Sequence, residues 1–295
     1  MIEIPDVGTR VSLRYRLPPG SVPPMSDVVG HLREVGPILQ VETKLGDEVT
    51  VAVADVVSIR PLSAAPVRNR DIRNLEHAAA LGWPGVEHEW LGGWLLRFGH
   101  GSTRRANSAV PLLPTPGEHL DGIAAWYSAR ATPALLAVPD RLFRLPPGQE
   151  TDGENVVMAR QLTDGVAPAT AHVTARPDDD WLRLHPRQVP VDVLTAVVDG
   201  VVAFGRAEDA AVGRVAVTVA PDGTRWAGLS SVHVAEDARR RGLARTLCEA
   251  LLGWAVDQGA TRAYVQVLAD NAPATRLYES TGFGEHHRSR YVSLG

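Results

Sequence analysis

The chain has 295 residues, of which 44% are hydrophobic and 22% are charged, a composition typical of a soluble globular protein with two domains or one large one. Its one cysteine, Cys248, excludes an internal disulfide framework and a multi-cysteine zinc site. The net charge of −4 argues against a general nucleic-acid binder, and no apolar run approaches the roughly 20 residues that a membrane helix requires.

The segment that begins Met1-Ile2-Glu3 has neither a basic stretch nor an apolar one. It therefore does not resemble a secretory signal. We expect a cytoplasmic protein.

The first sixty residues predict β-structure. Apolar and polar side chains alternate over residues 11–17, with the period of two that is typical of a half-buried strand. Shorter apolar segments predict further strands at residues 28–29, 38–41 and 49–53. Short strands at this spacing, with few helix signals between them, predict a small antiparallel barrel over residues 1–62.

The middle segment, residues 63–150, mixes helices and strands. Its apolar spacing predicts a helix that stops at Gly82, and then two strands that pair across the turn at residues 99–102. The elements expected in chain order are a helix over 70–81, strands over 90–98 and 106–112, a helix over 120–129 and a strand over 134–138.

The last segment, residues 151–295, predicts an antiparallel meander followed by a strand–helix–strand–helix unit, which is an α+β arrangement. The longest helix, over residues 243–258, carries apolar residues along one face and ends at Gly259. The other expected strands are 156–162, 171–175, 201–204, 213–219, 225–234 and 263–268 with strands within 283–294, and the other expected helices are 178–184, 191–198 and 273–280.

The turn before the long helix is the most informative segment. The first amides of a helix have no partner within the helix and lie at the positive end of its dipole, so they form an anion site. Gly242 and Ala244 leave room for a diphosphate to reach the main chain, and Arg239, Arg240 and Arg241 add positive charge. The order strand, loop, helix favours phosphate binding over an ordinary solvated arginine-rich loop.

This turn also carries a resemblance to a known family. Arg239-Arg240-Arg241-Gly242-Leu243-Ala244 fits the pyrophosphate loop Arg/Gln-x-x-Gly-x-Gly/Ala of the GNAT superfamily of acyl-CoA-dependent N-acyltransferases. A strand, Asn271 and a helix with Tyr278 follow in the order of that family, and the segment from Tyr278 to Phe283 resembles its Tyr-x-x-x-Gly-Phe ending. The resemblance covers residues 201–294, and we expect it to begin near Asn155.

The resemblance implies a GNAT fold, a mixed and mostly antiparallel sheet flanked by helices, with acetyl-CoA as cosubstrate and no metal. Main-chain groups of Val232 and Val234 would bond the pantetheine arm and the thioester. Tyr278 would protonate the departing thiolate, for which a phenol with a pKa near 10 is a suitable donor. The cofactor-binding residues implied are Val232, His233, Val234, Arg239, Arg240, Arg241, Gly242, Leu243, Ala244, Arg245 and Asn271.

Several of these roles leave an alternative open. The alternative for Tyr278 is a packing tyrosine with a satisfied hydroxyl, although catalysis is favoured. Asn271 could equally cap the helix that Pro273 opens, and this role is compatible with a contact to the cofactor. An amine nucleophile must lose a proton before it attacks, and His233 is our candidate base, although a lone histidine on a strand is commonly structural. Weaker candidate bases are Glu208, Asp209, His286 and His287. Cys248 is expected in the core.

The resemblance extends to the other segments. The middle segment is expected to be a degenerate GNAT-like half that does not bind coenzyme A, because residues 114–117 (Pro-Thr-Pro-Gly) replace the pyrophosphate loop. The N-terminal barrel resembles the Src-homology-3-like domain that precedes GNAT domains in certain actinobacterial proteins.

Two functions follow. The first is an N-acetyltransferase that moves an acetyl group from acetyl-CoA to a primary amine, on a small molecule or at a protein lysine or N-terminus, by direct attack on the thioester. The second is a non-catalytic module that senses acyl-CoA or binds a protein through its barrel. We expect no membrane partner and no direct nucleic-acid partner, and a homodimer stays open.

Overall fold

The computed structural model describes residues 4–43, 46–61, 67–114, 119–145, 151–162, 169 and 171–294. The chain divides into two compact units, Met1–Pro66 and Val67–Gly295. Residues 115–117 of the segment that replaces the pyrophosphate loop in the middle of the chain lie outside the described residues.

The first unit is an antiparallel sheet of five strands in the order β4-β3-β2-β1-β5. Alternate side chains, such as those of Val11 and Leu13 on β1, are fully buried in its apolar core. This confirms the prediction of a small antiparallel β-domain. The last strand was not predicted, because the turn before it contains neither glycine nor proline. The strands are β1 (Arg10–Arg16), β2 (Met25–Val35), β3 (Ile38–Thr43), β4 (Glu48–Ala52) and β5 (Val56–Pro61).

The second unit contains six helices and eleven strands among its described residues. The helices are α1 (Asn69–Leu81), α2 (Leu120–Ser128), α3 (Asp179–Leu184), α4 (Val191–Thr195), α5 (Leu243–Asp257) and α6 (Ala272–Glu279). The strands are β6 (Glu87–Leu91), β7 (Trp94–Phe98), β8 (Val110–Pro111), β9 (Leu135–Pro139), β10 (Thr151–Gln161), β11 (His172–Thr174), β12 (Val201–Ala207), β13 (Ala211–Val219), β14 (Arg225–Val234), β15 (Arg262–Leu268) and β16 (Gly284–Ser293).

Eight of these strands form one mixed sheet in the order β11-β12-β13-β14-β15-β10-β16-β9. Only β14 and β15 run parallel, and the other neighbours in this sheet are antiparallel. Helices α5 and α6 pack on one face, and α1, α3 and α4 pack on the other. The predicted α+β arrangement is therefore confirmed.

The predicted pairing of two strands in the middle segment is confirmed by β7 and β8, but the bounds predicted for these strands are wrong. The strand expected over residues 90–98 is broken by Gly92 and Gly93, which both have positive φ, so β6 and β7 form a tight hairpin. The strand expected over 106–112 is reduced to β8, which follows a 3-10 turn and pairs with β7. The strands expected within 283–294 are one strand, β16.

The middle segment shares the large sheet, because β9 pairs with β16. Residues 67–295 are accordingly a single compact unit. The boundary at residue 150, and the origin of the middle segment as a degenerate copy, stay predictions.

A buried arginine connects two helices to the face of the sheet that lies opposite α5. Arg214 on β13 is 1% exposed and donates to the carbonyl oxygens of Leu194 at 2.7 Å, Gly82 at 2.9 Å and Ala196 at 3.0 Å. Its guanidinium also lies over the Trp83 ring, 4.3 Å from the centroid. Burial lowers the pKa of Arg214 to about 9. These contacts attach the ends of α1 and α4 to the centre of the sheet.

Candidate active site

Strands β14 and β15 separate near their carboxyl ends. Their pairing runs from Trp226–Arg262 to Leu229–Val265, whereas β14 continues to Val234. A bulge bends β14 beyond this point, because Ser231 has a φ of 53° and lies with Val232 opposite one residue of β13. The two parallel strands therefore leave a gap beside the last residues of β14.

Main-chain groups of β14 face this gap. The amide of Ala235 donates to the carbonyl oxygen of Ala210 at 2.8 Å, and the peptide groups of a strand alternate in direction. The N–H and C=O groups of Val232 and Val234 must then point away from β13. In agreement, the carbonyl oxygen of Val234 accepts a bond from Nε of Arg239 at 3.4 Å instead of pairing with β13.

The loop after β14 leads into α5 through a left-handed residue. Gly242 precedes the helix with a φ of 82° and a ψ of −4°, and Arg240 also has a positive φ. Among the described residues, none accepts a hydrogen bond from the amides of Arg240, Arg241 or Gly242, and no side chain caps α5. These exposed donors at a helix N-terminus form a potential anion site.

The arginines of this loop are held only by exposed contacts. Arg239 pairs with Glu236 at 3.5 Å and Arg241 with Glu208 at 2.8 Å. Arg245, in the first turn of α5, donates to the Ser280 carbonyl at 3.1 Å. Exposed pairs of this kind contribute little to stability, so a phosphate can replace them at low cost.

Asn271 caps the N-terminus of α6. Its Oδ1 accepts a bond from the amide of Ala274 at 3.2 Å, and Pro273 occupies the first turn. The capping role considered from the sequence is therefore confirmed, and the contact with the cofactor arm stays a prediction.

The two roles of Asn271 are separable by substitution. We expect Asn271→Ala to lower the free energy of unfolding by about 1 kcal/mol, because the cap is lost. Asn271→Asp keeps the cap, so we expect its stability to be unchanged and its acetyl-CoA affinity to fall if the amide also contacts the cofactor. Urea unfolding and calorimetry measure the two effects. Equal stability of Asn271→Ala and the unaltered protein would contradict the cap.

Tyr278 lies on α6 and is 7% exposed within the core that α5 and α6 form with the sheet. Its ring meets Phe283 edge-on at 5.7 Å. Burial raises the pKa of Tyr278 above its ordinary value, and the nearby Cys248 raises it further. No described residue is hydrogen-bonded to its hydroxyl. Because its pKa is raised, the hydroxyl keeps its proton at neutral pH. Cys248 lies in the core as predicted, where burial raises its pKa to about 12.

His233 lies on the face of the sheet opposite α5. Val232 and Val234 pack against the core that contains α5, so the side chain between them projects to the other face. Burial and the charge of Arg239 lower the pKa of His233. His185, which was not singled out from the sequence, stacks on the Trp181 ring at 4.9 Å, and its pKa is lowered by burial and, to a smaller extent, by the charge of His233.

The weaker base candidates lie elsewhere. Glu208 and Asp209 are exposed in the turn between β12 and β13, where they pair with Arg241 and Arg206. His286 and His287 lie on β16, and Nε2 of His287 is 2.8 Å from Oε1 of the buried Glu76. Burial lowers the pKa of His286 to about 4. The contacts of this pair are with Glu76 and Trp226 rather than with His233.

A polar pocket on the face of the sheet opposite α5 was not predicted from the sequence. It lies where α1 and the segment from β7 to β8 cover the ends of β15, β10 and β16, and its polar lining includes Glu76, Arg97, Arg105, Asn155, Gln266 and Tyr291. Gln266 follows Val265, the last residue of β15 that pairs with β14, so part of the pocket wall comes from the strand that borders the gap. These residues are far apart in the chain, and no local pattern marks them.

Among the described residues, no three histidine, cysteine, aspartate or glutamate side chains are grouped so that they could hold a metal ion. No helix in the described ranges is both long enough and apolar enough to cross a membrane.

Two family models match the chain. One, described as "Probable histone acetyltransferase Rv0428c C-terminal", matches residues 69–292, and the other, described as "Rv0428c N-terminal Sm-like domain", matches residues 5–60. The probable histone acetyltransferase Rv0428c of Mycobacterium tuberculosis is 48% identical over 294 residues, which are 99% of this chain and 97% of that protein. The uncharacterized N-acetyltransferase YobR of Bacillus subtilis is 26% identical over 251 residues, which are 74% of this chain and 97% of that protein.

A solved structure shows the fold. The GCN5-related N-acetyltransferase from Kribbella flavida superposes with a TM-score of 0.55 at 16% identity, over 78% of this chain and 96% of that chain. This likeness confirms the predicted GNAT fold for the second unit. The match of residues 5–60 to a Sm-like domain agrees with the small β-domain predicted for the first.

Proposed function

We propose that this chain, which belongs to the family of the probable histone acetyltransferase Rv0428c, transfers an acetyl group from acetyl-CoA to a primary amine. The family and the fold make it an acetyltransferase of the GNAT type. The donor and the acceptor are our proposal. The observation that carries it is the gap between β14 and β15, which exposes main-chain groups of Val232 and Val234 beside the anion site at α5.

The proposed acetyl-CoA site runs from the loop to the gap. The amides of residues 240–245 hold the diphosphate, and the positive end of the α5 dipole adds to their attraction. Arg239 contributes charge to the same anion. The main-chain groups of Val232 and Val234 bond the pantetheine arm and place the thioester in the gap. Asn271, at the start of α6, contacts the arm.

Two side chains move protons in the proposed reaction. The amine nitrogen forms a bond to the thioester carbon, the carbon–sulfur bond breaks, and the amine loses a proton. His233 accepts that proton, and its lowered pKa supports this role because the ring is neutral at pH 7 and has a free lone pair. Tyr278 donates a proton to the departing sulfur from the opposite face of the sheet, and its raised pKa keeps that proton in place until the thiolate forms.

A protein lysine is a second candidate acceptor. The observation that favours it is the name of the 48% identical relative, a probable histone acetyltransferase. The two acceptor classes share the chemistry of the reacting amine, so the same loop, gap, Tyr278 and His233 serve both.

Calorimetry followed by an acceptor screen tests the proposal. We expect acetyl-CoA to bind, and at least one primary amine to accelerate the release of free coenzyme A thiol. The absence of binding at millimolar acetyl-CoA would contradict the proposal. Binding with slow thioester hydrolysis, and no acceleration by any small amine or lysine peptide, would favour a non-catalytic acyl-CoA sensor instead.

A further inference from the structure

The arginines of the loop before α5 differ in what holds them. Arg239 pairs with Glu236, three residues earlier in the same loop, at 3.5 Å, and donates to the carbonyl oxygen of Val234. Arg241 instead contacts another element, because its Nη2 donates to Oε2 of Glu208, in the turn between β12 and β13, at 2.8 Å. The pair of Arg241 and Glu208 therefore connects the proposed diphosphate loop to a neighbouring hairpin.

The main chain fixes the place of Glu208. Within the turn, the amide of Ala210 donates to the carbonyl oxygen of Ala207 at 3.1 Å. The carbonyl oxygen of Ala210 accepts a bond from the amide of Ala235 at 2.8 Å, and Ala235 directly follows β14. The turn that carries Glu208 is thus attached to the start of the loop that carries Arg241.

The turn adopts a conformation that its residues rarely take. Glu208 has a φ of 47° and Asp209 a φ of 48°, so two successive residues are left-handed. Asparagine and glycine are the residues that usually occupy such a turn, because a longer side chain makes this backbone costly. Local strain of this kind is concentrated at functional sites. Here it holds the carboxylate that contacts the diphosphate loop.

The contact between Arg241 and Glu208 can be exchanged for a contact with an anion. Their side chains are 58% and 57% exposed, so a dissolved anion can reach both. An exposed ion pair is weak, and a phosphate group is an equally good partner for a guanidinium. Glu208 also lines an open cavity of about 450 Å³, which gives the displaced carboxylate space without repacking of the core.

We propose that Glu208 competes with the diphosphate of coenzyme A for Arg241 and thereby lowers the affinity of the protein for acetyl-CoA and for the product coenzyme A. This inference rests on the proposed acetyl-CoA site and adds a residue that weakens it. Donor and product carry the same diphosphate, so the same carboxylate favours the release of the product. Glu208 acts through Arg241 and is a positioning residue, not a catalytic one.

Calorimetric titration of Glu208→Gln tests the competition. The substitution keeps the size of the side chain and removes its charge. We expect the Kd for acetyl-CoA and the Kd for coenzyme A each to fall roughly two- to fivefold, the value of an exposed ion pair. The gain should shrink at high salt, because exposed charges are screened. Damage to the fold would weaken binding, so a gain in affinity is not a sign of misfolding.

A double-mutant cycle shows whether Glu208 acts through Arg241. We expect Arg241→Gln to weaken acetyl-CoA binding, and Glu208→Gln to add almost nothing in that background. Asp209→Asn is the matched control, because Asp209 is the neighbouring carboxylate in the same turn and pairs with Arg206 instead. We expect its Kd for acetyl-CoA to stay close to that of the unaltered protein. Circular dichroism establishes that each variant is folded.

The outcomes separate the inference from the proposed function. Acetyl-CoA binding that is equal or weaker in Glu208→Gln overturns the inference and leaves the proposed function standing. A gain that persists in the Arg241→Gln background, or that Asp209→Asn reproduces, also overturns it, because the effect is then one of general charge. The absence of acetyl-CoA binding by the unaltered protein and by every variant contradicts the proposed function and this inference with it.

Discussion

Replacement of Tyr278 by phenylalanine is expected to lower turnover by roughly ten- to a thousandfold while acetyl-CoA affinity is nearly unchanged, the usual range for loss of a general acid. The ring keeps its edge contact with Phe283 and its place in the core. Since no described residue bonds the hydroxyl, its removal leaves no protein group unsatisfied. The loss of turnover should shrink with an acyl donor whose leaving thiol has a lower pKa, because that thiolate needs less protonation.

A matched control distinguishes catalysis from packing. Tyr264 on β15 is another buried tyrosine, whose pKa burial raises to about 12, but it faces α1 on the other side of the sheet. Tyr264→Phe makes the same chemical change and should leave turnover essentially unchanged. If Tyr278→Phe retains full turnover, Tyr278 is a packing residue and our assignment is wrong. Circular dichroism and a cofactor titration accompany the kinetics of both variants.

Replacement of Gly242 by valine is expected to weaken acetyl-CoA binding by roughly tenfold to a hundredfold, because hydrogen bonds to a charged group contribute about 1.5–3 kcal/mol each. The space around Gly242 is open, so a clash does not cause the effect. A branched residue at a φ of 82° is strained, and relief of that strain moves the amides that precede α5. Calorimetric titration measures the loss of affinity.

Gly223 provides the control for backbone strain. It lies in the turn between β13 and β14 with a φ of 84° and open space around it, so Gly223→Val has the same local cost, roughly 1–2 kcal/mol. Urea unfolding should show similar losses for the two variants. Only Gly242→Val should lose acetyl-CoA affinity. An equal loss of affinity in both would show that the effect comes from general destabilisation, and the loop assignment would be contradicted.

Local patterns were sufficient to predict the elements that carry the site. The apolar face of α5, the strands on either side of it and the Asn-x-Pro start of α6 each follow from neighbouring residues. The motif from Arg239 to Ala244, with Asn271 and Tyr278 following in order, then gave the resemblance to the GNAT superfamily that implied the fold. The hairpin of β6 and β7 was missed because a long apolar run outweighed the two glycines at its turn.

The face on which His233 lies could not be predicted from alternation alone. The bulge at Ser231 adds a residue to β14 and shifts every later side chain to the other face. The polar pocket could not be predicted either, because Glu76, Arg105 and Gln266 meet only after the sheet is assembled. The burial of these side chains, which makes the pocket polar and enclosed, is a property of the tertiary structure.

The most direct test is NMR on protein with isotope-labelled valine. The amide signals of Val232 and Val234 show whether the gap between β14 and β15 holds the acetyl-CoA thioester. We expect both signals to shift as acetyl-CoA is added, with the affinity that calorimetry gives. The signal of Val138 in β9, at the edge of the same sheet, should not move. If calorimetry shows binding while the signals of Val232 and Val234 stay in place, acetyl-CoA binds elsewhere, and the proposed arrangement of thioester, Tyr278 and His233 is contradicted.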